Sequence, residues 1–164
     1  KEYTAEQLKV FADNKERNLA IIKRIKELSI EQVPTIVFAC SVSHAKILSA
    51  MLTIDNIPNS LVIGEMDKLE RRCAIEAFKD NTTNVNVIIN YEVLTTGFDS
   101  KNIRCVFITR PTKSIVLYSQ MLGRGLRGPL MGGNEECLLI DIDDNLKAFN
   151  NETAFSHFDK YWKR

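Results

Sequence analysis

The sequence predicts an α/β domain in which a mainly parallel sheet of five or more strands is covered by helices on both faces. Short, continuous runs of apolar residues recur along the chain, as expected of strands that are buried on both faces of a parallel sheet. Segments with helical periodicity lie between these runs, so that strands and helices alternate. The length of 164 residues, with 45% apolar and 26% charged residues, fits one globular domain with a sizeable core.

The predicted strands are short apolar runs bounded by polar or turn-forming residues. They cover residues 35–40, 60–63, 85–89, 104–108 and 136–141. The chain contains no internal repeat and no low-complexity tract. We therefore expect a single doubly wound domain, preceded by a helical arm.

Helical periodicity predicts the elements that connect these strands. Helices are expected over residues 4–29, 43–54, 67–79 and about 114–122. The first is interrupted near Asp13 and Asn14. Ser43 is the predicted N-cap of the second helix, whereas Asp67 caps the third and has Glu70 in the capping-box position.

Composition restricts the classes of function. The net charge is only +1, so a nucleic-acid partner has to be argued from local features. The apolar runs are too short to span a membrane and no signal peptide is visible, so we expect no membrane partner and a cytoplasmic location. The four cysteines lack C-x-x-C spacing, which favours free thiols over disulfides or a metal site.

Several catalytic motifs are missing from the sequence. There is no G-x-x-x-x-G-K-[ST] phosphate loop, no G-x-G-x-x-G after the first predicted strand and no G-x-S-x-G elbow. The chain therefore has no phosphate cradle of its own. A small-ligand Rossmann-like domain is disfavoured for the same reason.

Residues 95–99, Thr-Thr-Gly-Phe-Asp, are the first candidate site, because ligands of open parallel sheets bind where strands end. Gly97 permits close approach of the backbone to a ligand, and the threonine hydroxyls can donate to phosphate. Asp99 can accept a hydrogen bond from a sugar hydroxyl. On spacing alone, however, a polar turn explains the segment better.

Residues 120–129 are the second candidate site, because Arg124 and Arg127 stand among three glycines after a predicted helix. A guanidinium carries a permanent charge, and its planar fork matches phosphate oxygens. A basic helix C-terminus explains one arginine through the helix dipole, but it does not explain the Gly-Arg-Gly-Leu-Arg-Gly spacing. The pattern therefore favours phosphate binding.

The third candidate site comprises residues 64–66 with Arg71 and Arg72, after the second predicted strand. Basic residues early in a helix can follow a nucleic-acid backbone, but a solvated helix face explains them equally well. His44 follows the first predicted strand. A lone histidine at such a position is more often structural than functional.

Taken in order, these segments resemble the C-terminal RecA-like lobe of superfamily 2 helicases. The motif VI pattern Q-x-x-G-R-x-x-R is matched in full by Gln120, Gly123, Arg124 and Arg127. Residues 93–99 resemble motif V in its T-G-F-D form, residues 36–39 resemble motif IV, and Arg71 matches the motif IVa arginine. The resemblance spans about residues 33–142 and implies a three-layer RecA-like fold.

Within the superfamily, the chain is similar to the DNA-directed branch that includes type I and type III restriction motor subunits and RadD-like repair helicases. Residues 93–99 and the Arg-Pro-Thr of residues 110–112 support this similarity. Gln120 and Thr96 stand where DEAD-box RNA helicases have His and Arg. The resemblance therefore favours DNA over RNA as the partner.

The resemblance implies roles for individual residues. Arg124 and Arg127 would be arginine fingers for the γ-phosphate, and Gln120 would also face the nucleotide. Gly97, Asp99 and Gly123 would contact the nucleotide. The nucleic-acid-binding residues would be Ser41, Gly64, Arg71, Tyr91 and Thr95.

The resemblance also implies cofactors, partners and domains. ATP and Mg²⁺ would be held mainly by an N-terminal RecA-like lobe of the parent chain, so this piece alone is expected to be inactive. Nuclease or methylase subunits are further expected partners. Residues 1–32 would be a helical arm from the first lobe, 33–145 the RecA-like lobe and 146–164 a C-terminal extension. The alternative is a non-catalytic RecA-like scaffold or binding module, which the paired arginines argue against.

Overall fold

The computed structural model describes residues 2–95, 98, 100, 102–125, 130 and 132–142. Within these residues the strand–helix alternation predicted from the sequence is confirmed. In chain order the elements are α1 (Ala5–Ala12), α2 (Lys15–Ile30), β1 (Thr35–Phe38), α3 (Val42–Ile54), β2 (Ser60–Val62), α4 (Lys68–Lys79), β3 (Val87–Asn90), β4 (Cys105–Ile108), α5 (Ile115–Leu122) and β5 (Leu138–Asp141). The predicted interruption of the first helix separates α1 from α2.

The strands form one parallel sheet in the order β2-β3-β1-β4-β5. β1 lies at the centre, where all four of its residues pair with β3 on one side and with β4 on the other. β1, β3 and β4 are buried along their whole length. After β1 the chain continues to β2, the strand at one lateral edge of the sheet. After β4 it continues to β5, the strand at the other. The topological switch point therefore lies between the carboxyl ends of β1 and β4.

Helices cover both faces of the sheet and make a three-layer architecture. One face is covered by apolar side chains of α2 and α3, namely Ile21, Ile22, Ile25, Leu28, Ala45, Leu48 and Leu52. On the opposite face pack Phe78 of α4 together with Tyr118 and Met121 of α5. The predicted α/β fold with helices on both faces is thus confirmed.

The leading helices lie against the sheet. α2 contributes to its core, and α1 packs near the carboxyl end of β1 through a small cluster of Tyr3, Leu8, Phe11, Ala12 and Cys40. The Glu2 carboxylate accepts hydrogen bonds from the Thr112 hydroxyl and from the backbone N–H groups of Lys113 and Ser114. The boundary with an upstream lobe at residue 32 stays a prediction, and the predicted extension 146–164 lies outside the described residues.

One of the predicted helix caps is wrong and another is confirmed. α3 begins at Val42, and its N-cap is Ser41, not Ser43. The reason is that Ser41 has an extended backbone and its hydroxyl accepts a hydrogen bond from the His44 N–H, whereas Ser43 already lies inside the helix. The capping box of Asp67 and Glu70 is present at the start of α4.

The four cysteines are free thiols with different environments. Cys40 and Cys105 are buried, Cys137 is half-buried and Cys73 is exposed. Burial raises the pKa of Cys105 to about 12. Among the described residues, no helix is long and apolar enough to cross a membrane, and no group of three or more His, Cys, Asp or Glu side chains is placed to hold a metal ion.

His44 is a buried residue with both ring nitrogens paired. Its Nδ1 accepts a hydrogen bond from the Cys40 N–H at 3.1 Å, and its Nε2 lies 2.9 Å from Asn18 Oδ1. Asn18 is oriented because its Nδ2 donates to the Ala12 carbonyl at 2.8 Å. These contacts suit a neutral imidazole, since a second proton on Nδ1 would face the Cys40 N–H. Burial, together with the charge of Arg17, lowers the pKa of His44 from 6.5 to about 4.

We predict that the free energy of unfolding falls as the pH drops from 6.5 toward 4, because His44 gains a proton only when the chain unfolds. The contribution of neutral His44 to the free energy of unfolding is fully present above the pKa of 6.5 that the residue has in the unfolded chain. About 2 kcal/mol of this contribution is lost by about pH 5. Urea unfolding across this range measures the loss. His157→Gln removes the other histidine and should keep the pH dependence. A His44→Gln variant that also keeps it would contradict the assignment.

Gly125 allows the chain after α5 to pack tightly against the sheet. A Cβ at this position would come within 2.6 Å of Val106 Cγ2 and would also overlap Cys137 Sγ. Gly64, after β2, has no neighbouring atom within 4 Å of an added Cβ. Close packing therefore requires glycine at position 125 but not at position 64.

Gly125→Ala is predicted to lower the free energy of unfolding by about 1–3 kcal/mol, because the added methyl group must displace a β-branched side chain of the sheet. Gly64→Ala is the matched control and should change it by less than about 0.5 kcal/mol. Thermal or urea unfolding of both variants provides the measurement. Equal stability of the two variants would show that the chain after α5 does not pack as described.

Candidate functional site

The segment after β3 is held in place by a buried asparagine. Asn90, at the end of β3, donates from Nδ2 to the Val37 carbonyl at 3.0 Å, and its Oδ1 accepts from the Leu94 N–H at 3.3 Å. Further along, the Thr95 hydroxyl donates to the Glu92 carbonyl at 2.6 Å. The predicted site residues Tyr91 and Thr95 therefore lie at the carboxyl edge of the sheet, in a turn fixed by hydrogen bonds.

Arg110 follows β4, and its side chain lies at the same end of the sheet. The preceding residue, Thr109, bonds twice to the Phe38 carbonyl at the end of β1, through its N–H and its hydroxyl. Arg110 then reaches the loop after β3, where its Nη1 lies 3.1 Å from Glu92 Oε1 and its guanidinium lies 5.3 Å from the centre of the Tyr91 ring. The residue is only 8% exposed. Burial raises the pKa of Tyr91, and the charge of Arg110 opposes this shift.

The contacts of Arg110 with Glu92 and Tyr91 were not anticipated from the sequence, in which Arg110 served only as a mark of one helicase branch. The signal that could have found them is its position shortly after a buried strand. A guanidinium there stands at the carboxyl edge, where ligands of parallel sheets bind.

Four of the predicted nucleic-acid residues form two groups at the carboxyl end of the sheet. Ser41 and Tyr91 are brought together, since both line a cavity of about 260 Å³ beside the carboxyl end of β1. The remaining cavity lining comes from α1, α3 and Cys40, with Leu8, Lys9, Asp13, His44 and Ile47 among its residues.

Gly64 and Arg71 form the second group, after β2. Arg71 donates from Nη2 to the carbonyls of Gly64 and Met66, each at 3.3 Å. It therefore supports the loop whose residues were predicted to bind nucleic acid. Its Nε is buried without a hydrogen-bond partner within the described part of the chain.

The predicted nucleotide-site residues lie elsewhere, at the end of α5. Gly123 is the C-cap of this helix. Arg124 follows it and donates from Nε to the Gln120 carbonyl at 3.3 Å and from Nη1 to the Phe98 carbonyl at 2.6 Å. Gln120, Gly123 and Arg124 are thus brought together. Arg127, Gly97 and Asp99, the other members predicted for this site, lie outside the described residues.

The predicted nucleic-acid residues lie at the carboxyl ends of the strands, whereas the described nucleotide-site residues lie at the amino ends. α5 runs antiparallel to the strands, so its end approaches Val106 near the start of β4. Phe98 lies there as well, with its ring 5.3 Å from the Lys79 Nζ at the end of α4. The loops after β1, β2 and β3 therefore begin at the carboxyl ends of the strands, whereas the arginine segment after α5 lies at the opposite end. Ligand binding by these segments stays a prediction.

Comparison with known proteins assigns the chain to a family. Residues 16–128 match the family described as helicase conserved C-terminal domain. IRC3 of Saccharomyces cerevisiae, named as an ATP-dependent helicase, is 33% identical over 134 residues, covering 79% of this chain and 19% of that protein. Its counterpart irc3 of Schizosaccharomyces pombe, named as a mitochondrial ATP-dependent helicase, is 35% identical over 143 residues, covering 87% and 23%. The chain thus spans about a fifth of the length of these curated relatives.

More distant similarities include a protein named as a DNA helicase and a structure determined with bound RNA. UvsW of Enterobacteria phage T4, named as an ATP-dependent DNA helicase, is 27% identical over 122 residues, covering 74% of this chain and 24% of that protein. The structure of Saccharomyces cerevisiae Dbp5 bound to RNA and ADP BeF₃ superposes with a TM-score of 0.71 at 20% identity, covering 90% of this chain and 37% of that one.

A fragment of an HsdR subunit of a type I restriction enzyme from Vibrio vulnificus YJ016 gives a TM-score of 0.68 at 20% identity, covering 91% of this chain and 31% of that one. At such identities the solved structures establish the RecA-like fold alone, whereas the family match extends over most of the chain. The chain therefore belongs to the helicase conserved C-terminal domain family.

Proposed function

We propose that this chain is the second motor lobe of an ATP-dependent DNA helicase or translocase, and that it supplies arginine fingers to a nucleotide held by an N-terminal RecA-like lobe of the same parent protein. The observation that carries the proposal is the placement of Arg124. Its guanidinium is anchored by the carbonyls of Gln120 and Phe98, so a half-buried cation stands between motif VI and motif V. A cation fixed in this way suits recognition of an anion presented by a partner lobe.

ATP and Mg²⁺ are the cofactors that the proposal requires. The chain has no phosphate loop, so the first lobe would hold the phosphates and the metal ion. In this lobe Gln120, Gly123 and Arg124 would face the nucleotide, joined by Gly97, Asp99 and Arg127. Guanidinium groups at this position would stabilise negative charge that develops on the transferred phosphoryl group.

The carboxyl edge is the proposed nucleic-acid surface. Tyr91, Thr95 and Ser41 lie along the loops after β3 and β1, and Gly64 with Arg71 continues the edge after β2. Gly64 is exposed, and Ser41, Arg71 and Tyr91 are half-buried, so that backbone, basic and aromatic groups at the ends of the strands suit contacts with a sugar–phosphate backbone. Support for nucleic acid as the ligand comes from the helicase relatives.

DNA is the proposed substrate rather than RNA. Gln120 and Thr96 depart from the DEAD-box pattern, and the UvsW relative carries the name of a DNA helicase. The structural likeness to RNA-bound Dbp5 makes RNA the competing outcome of the test. Nuclease or methylase subunits are proposed as partners from the resemblance to restriction motors alone.

We predict that ATP hydrolysis by the complete parent protein is stimulated by DNA and falls on the order of a thousandfold in Arg127→Ala and Arg124→Ala, because the fingers act on the transferring group. Steady-state turnover with duplex DNA, single-stranded DNA and RNA measures this, and nucleotide binding should be retained. Arg24→Ala is the control, since Arg24 lies on α2 in an exposed pair with Glu27 at 2.9 Å.

The outcomes separate the proposed roles. Unchanged turnover in both finger variants would contradict the finger assignment. Stimulation by RNA but not by DNA would replace the substrate. The absence of turnover under every condition would favour the non-catalytic scaffold. Thermal unfolding of Arg124→Ala distinguishes loss of catalysis from loss of structure, because Arg124 also holds the Phe98 carbonyl.

A further inference from the structure

We propose that Arg110 is a nucleic-acid phosphate contact and that Glu92 is a built-in carboxylate competitor which nucleic acid must displace from it. The inference rests on the proposed function, since it assigns a binding residue and its regulation within the carboxyl-edge surface. It differs from the family resemblance, which gives neither residue a role.

Arg110 is a nearly buried cation whose hydrogen bonding is incomplete. The Arg110 side chain is 9% exposed and makes an ion pair with Glu92 at 3.1 Å. Its Nε is buried and has no hydrogen-bond partner in the part of the chain that the structure describes. A buried polar group without a partner is rare in proteins and calls for an explanation. The closed arrangement therefore leaves one donor of the guanidinium fork unused.

The two partners of this ion pair differ in exposure. The Glu92 side chain is 58% exposed, whereas that of Arg110 is almost fully buried. Water can therefore take over the hydrogen bonds of the carboxylate when it turns away from Arg110. The buried guanidinium then needs another anion, because an unpaired buried charge is costly, and a phosphate would supply that anion.

The backbone at Glu92 is strained. This residue has a φ of 62°, in the left-handed region that non-glycine residues seldom occupy. The conformation is held by the tight turn in which the Thr95 hydroxyl donates to the Glu92 carbonyl. Strained residues of this kind concentrate at binding and switching sites. In this turn the Glu92 carboxylate lies 3.1 Å from Arg110 Nη1, and its side chain stays free to exchange this contact for water.

The chemistry of the guanidinium identifies the ligand class. A phosphodiester offers two unesterified oxygens, and a guanidinium can meet them through Nε and one Nη as a two-point contact. Such a contact would use the donor that Glu92 leaves unpaired. The guanidinium carbon of Arg110 lies 5.3 Å from the centre of the Tyr91 ring, which is within cation–π distance. The site thus fits one backbone phosphate of a bound strand.

Fluorescence anisotropy of the complete parent protein with labelled duplex DNA, single-stranded DNA and RNA of one sequence tests the proposal. Glu92→Gln should bind roughly threefold to tenfold more tightly, because the phosphate no longer competes with a carboxylate. Arg110→Gln should bind nucleic acid more weakly. On duplex DNA, the slope of log affinity against log salt concentration should become shallower by about 0.9, which corresponds to one lost phosphate contact. Glu27→Gln, which removes the same charge from α2, should leave the affinity unchanged.

The double variant Glu92→Gln/Arg110→Gln separates this mechanism from a general charge effect. If Glu92 acts through Arg110, adding Glu92→Gln to a protein that already carries Arg110→Gln changes the nucleic-acid affinity by less than about twofold. Glu92→Gly is the second variant, since glycine accepts the positive φ and the loop keeps its fold. It should bind as tightly as Glu92→Gln.

Equal gains with and without Arg110, or no gain in Glu92→Gln and Glu92→Gly, would overturn the inference while leaving the proposed function intact. A wild-type protein that binds no nucleic acid at low salt would overturn both.

Discussion

β1 is hydrogen-bonded on both sides, and this pairing decides which loops of the domain meet. All four residues of this strand pair with β3 and with β4 in parallel register. The loops that leave β3 and β4 are therefore placed over the same carboxyl end, although their residues are far apart in the sequence. The contact of Arg110 with Tyr91 and Glu92 follows directly from this arrangement. A parallel order that separated β3 from β4 by more than one strand would not permit it.

Asn90 and Phe98 lie at opposite ends of the strands, although they are close in the sequence. Asn90 donates to the Val37 carbonyl near the carboxyl end of β1, and the Phe98 carbonyl accepts from Arg124 after α5. For the proposed motor lobe, the two ends of one short sequence segment therefore stand at the two proposed ligand sites.

Much of the fold could be predicted from the sequence, because buried parallel strands are continuous apolar runs and the helices between them keep their periodicity. The capping box at Asp67 was predictable from local chemistry, whereas the cap of α3 was not. Ser41 and Ser43 are chemically equivalent, and only the paired strand end decides which of them has an extended backbone.

The candidate site was predictable only in part. Gln120, Gly123 and Arg124 stand close together in the sequence, so their proximity at the end of α5 needed no tertiary information. The partnership of Arg110 with Glu92 depends on strand order, which no local pattern specifies. The two predicted sites lie at opposite ends of the strands because α5 runs antiparallel to β4, which the sequence likewise does not specify.

If the lobe binds nucleic acid at the carboxyl ends of its strands and nucleotide at the end of α5, the two ligands protect different segments. Hydrogen–deuterium exchange of the complete parent protein, with nucleic acid alone or with a non-hydrolysable ATP analogue alone, distinguishes them. We expect nucleic acid to slow exchange in residues 91–95 and 109–112, and the nucleotide analogue to slow exchange in residues 119–125. Protection of residues 119–125 by nucleic acid, with residues 91–95 and 109–112 unchanged, would show that the two sites are assigned wrongly.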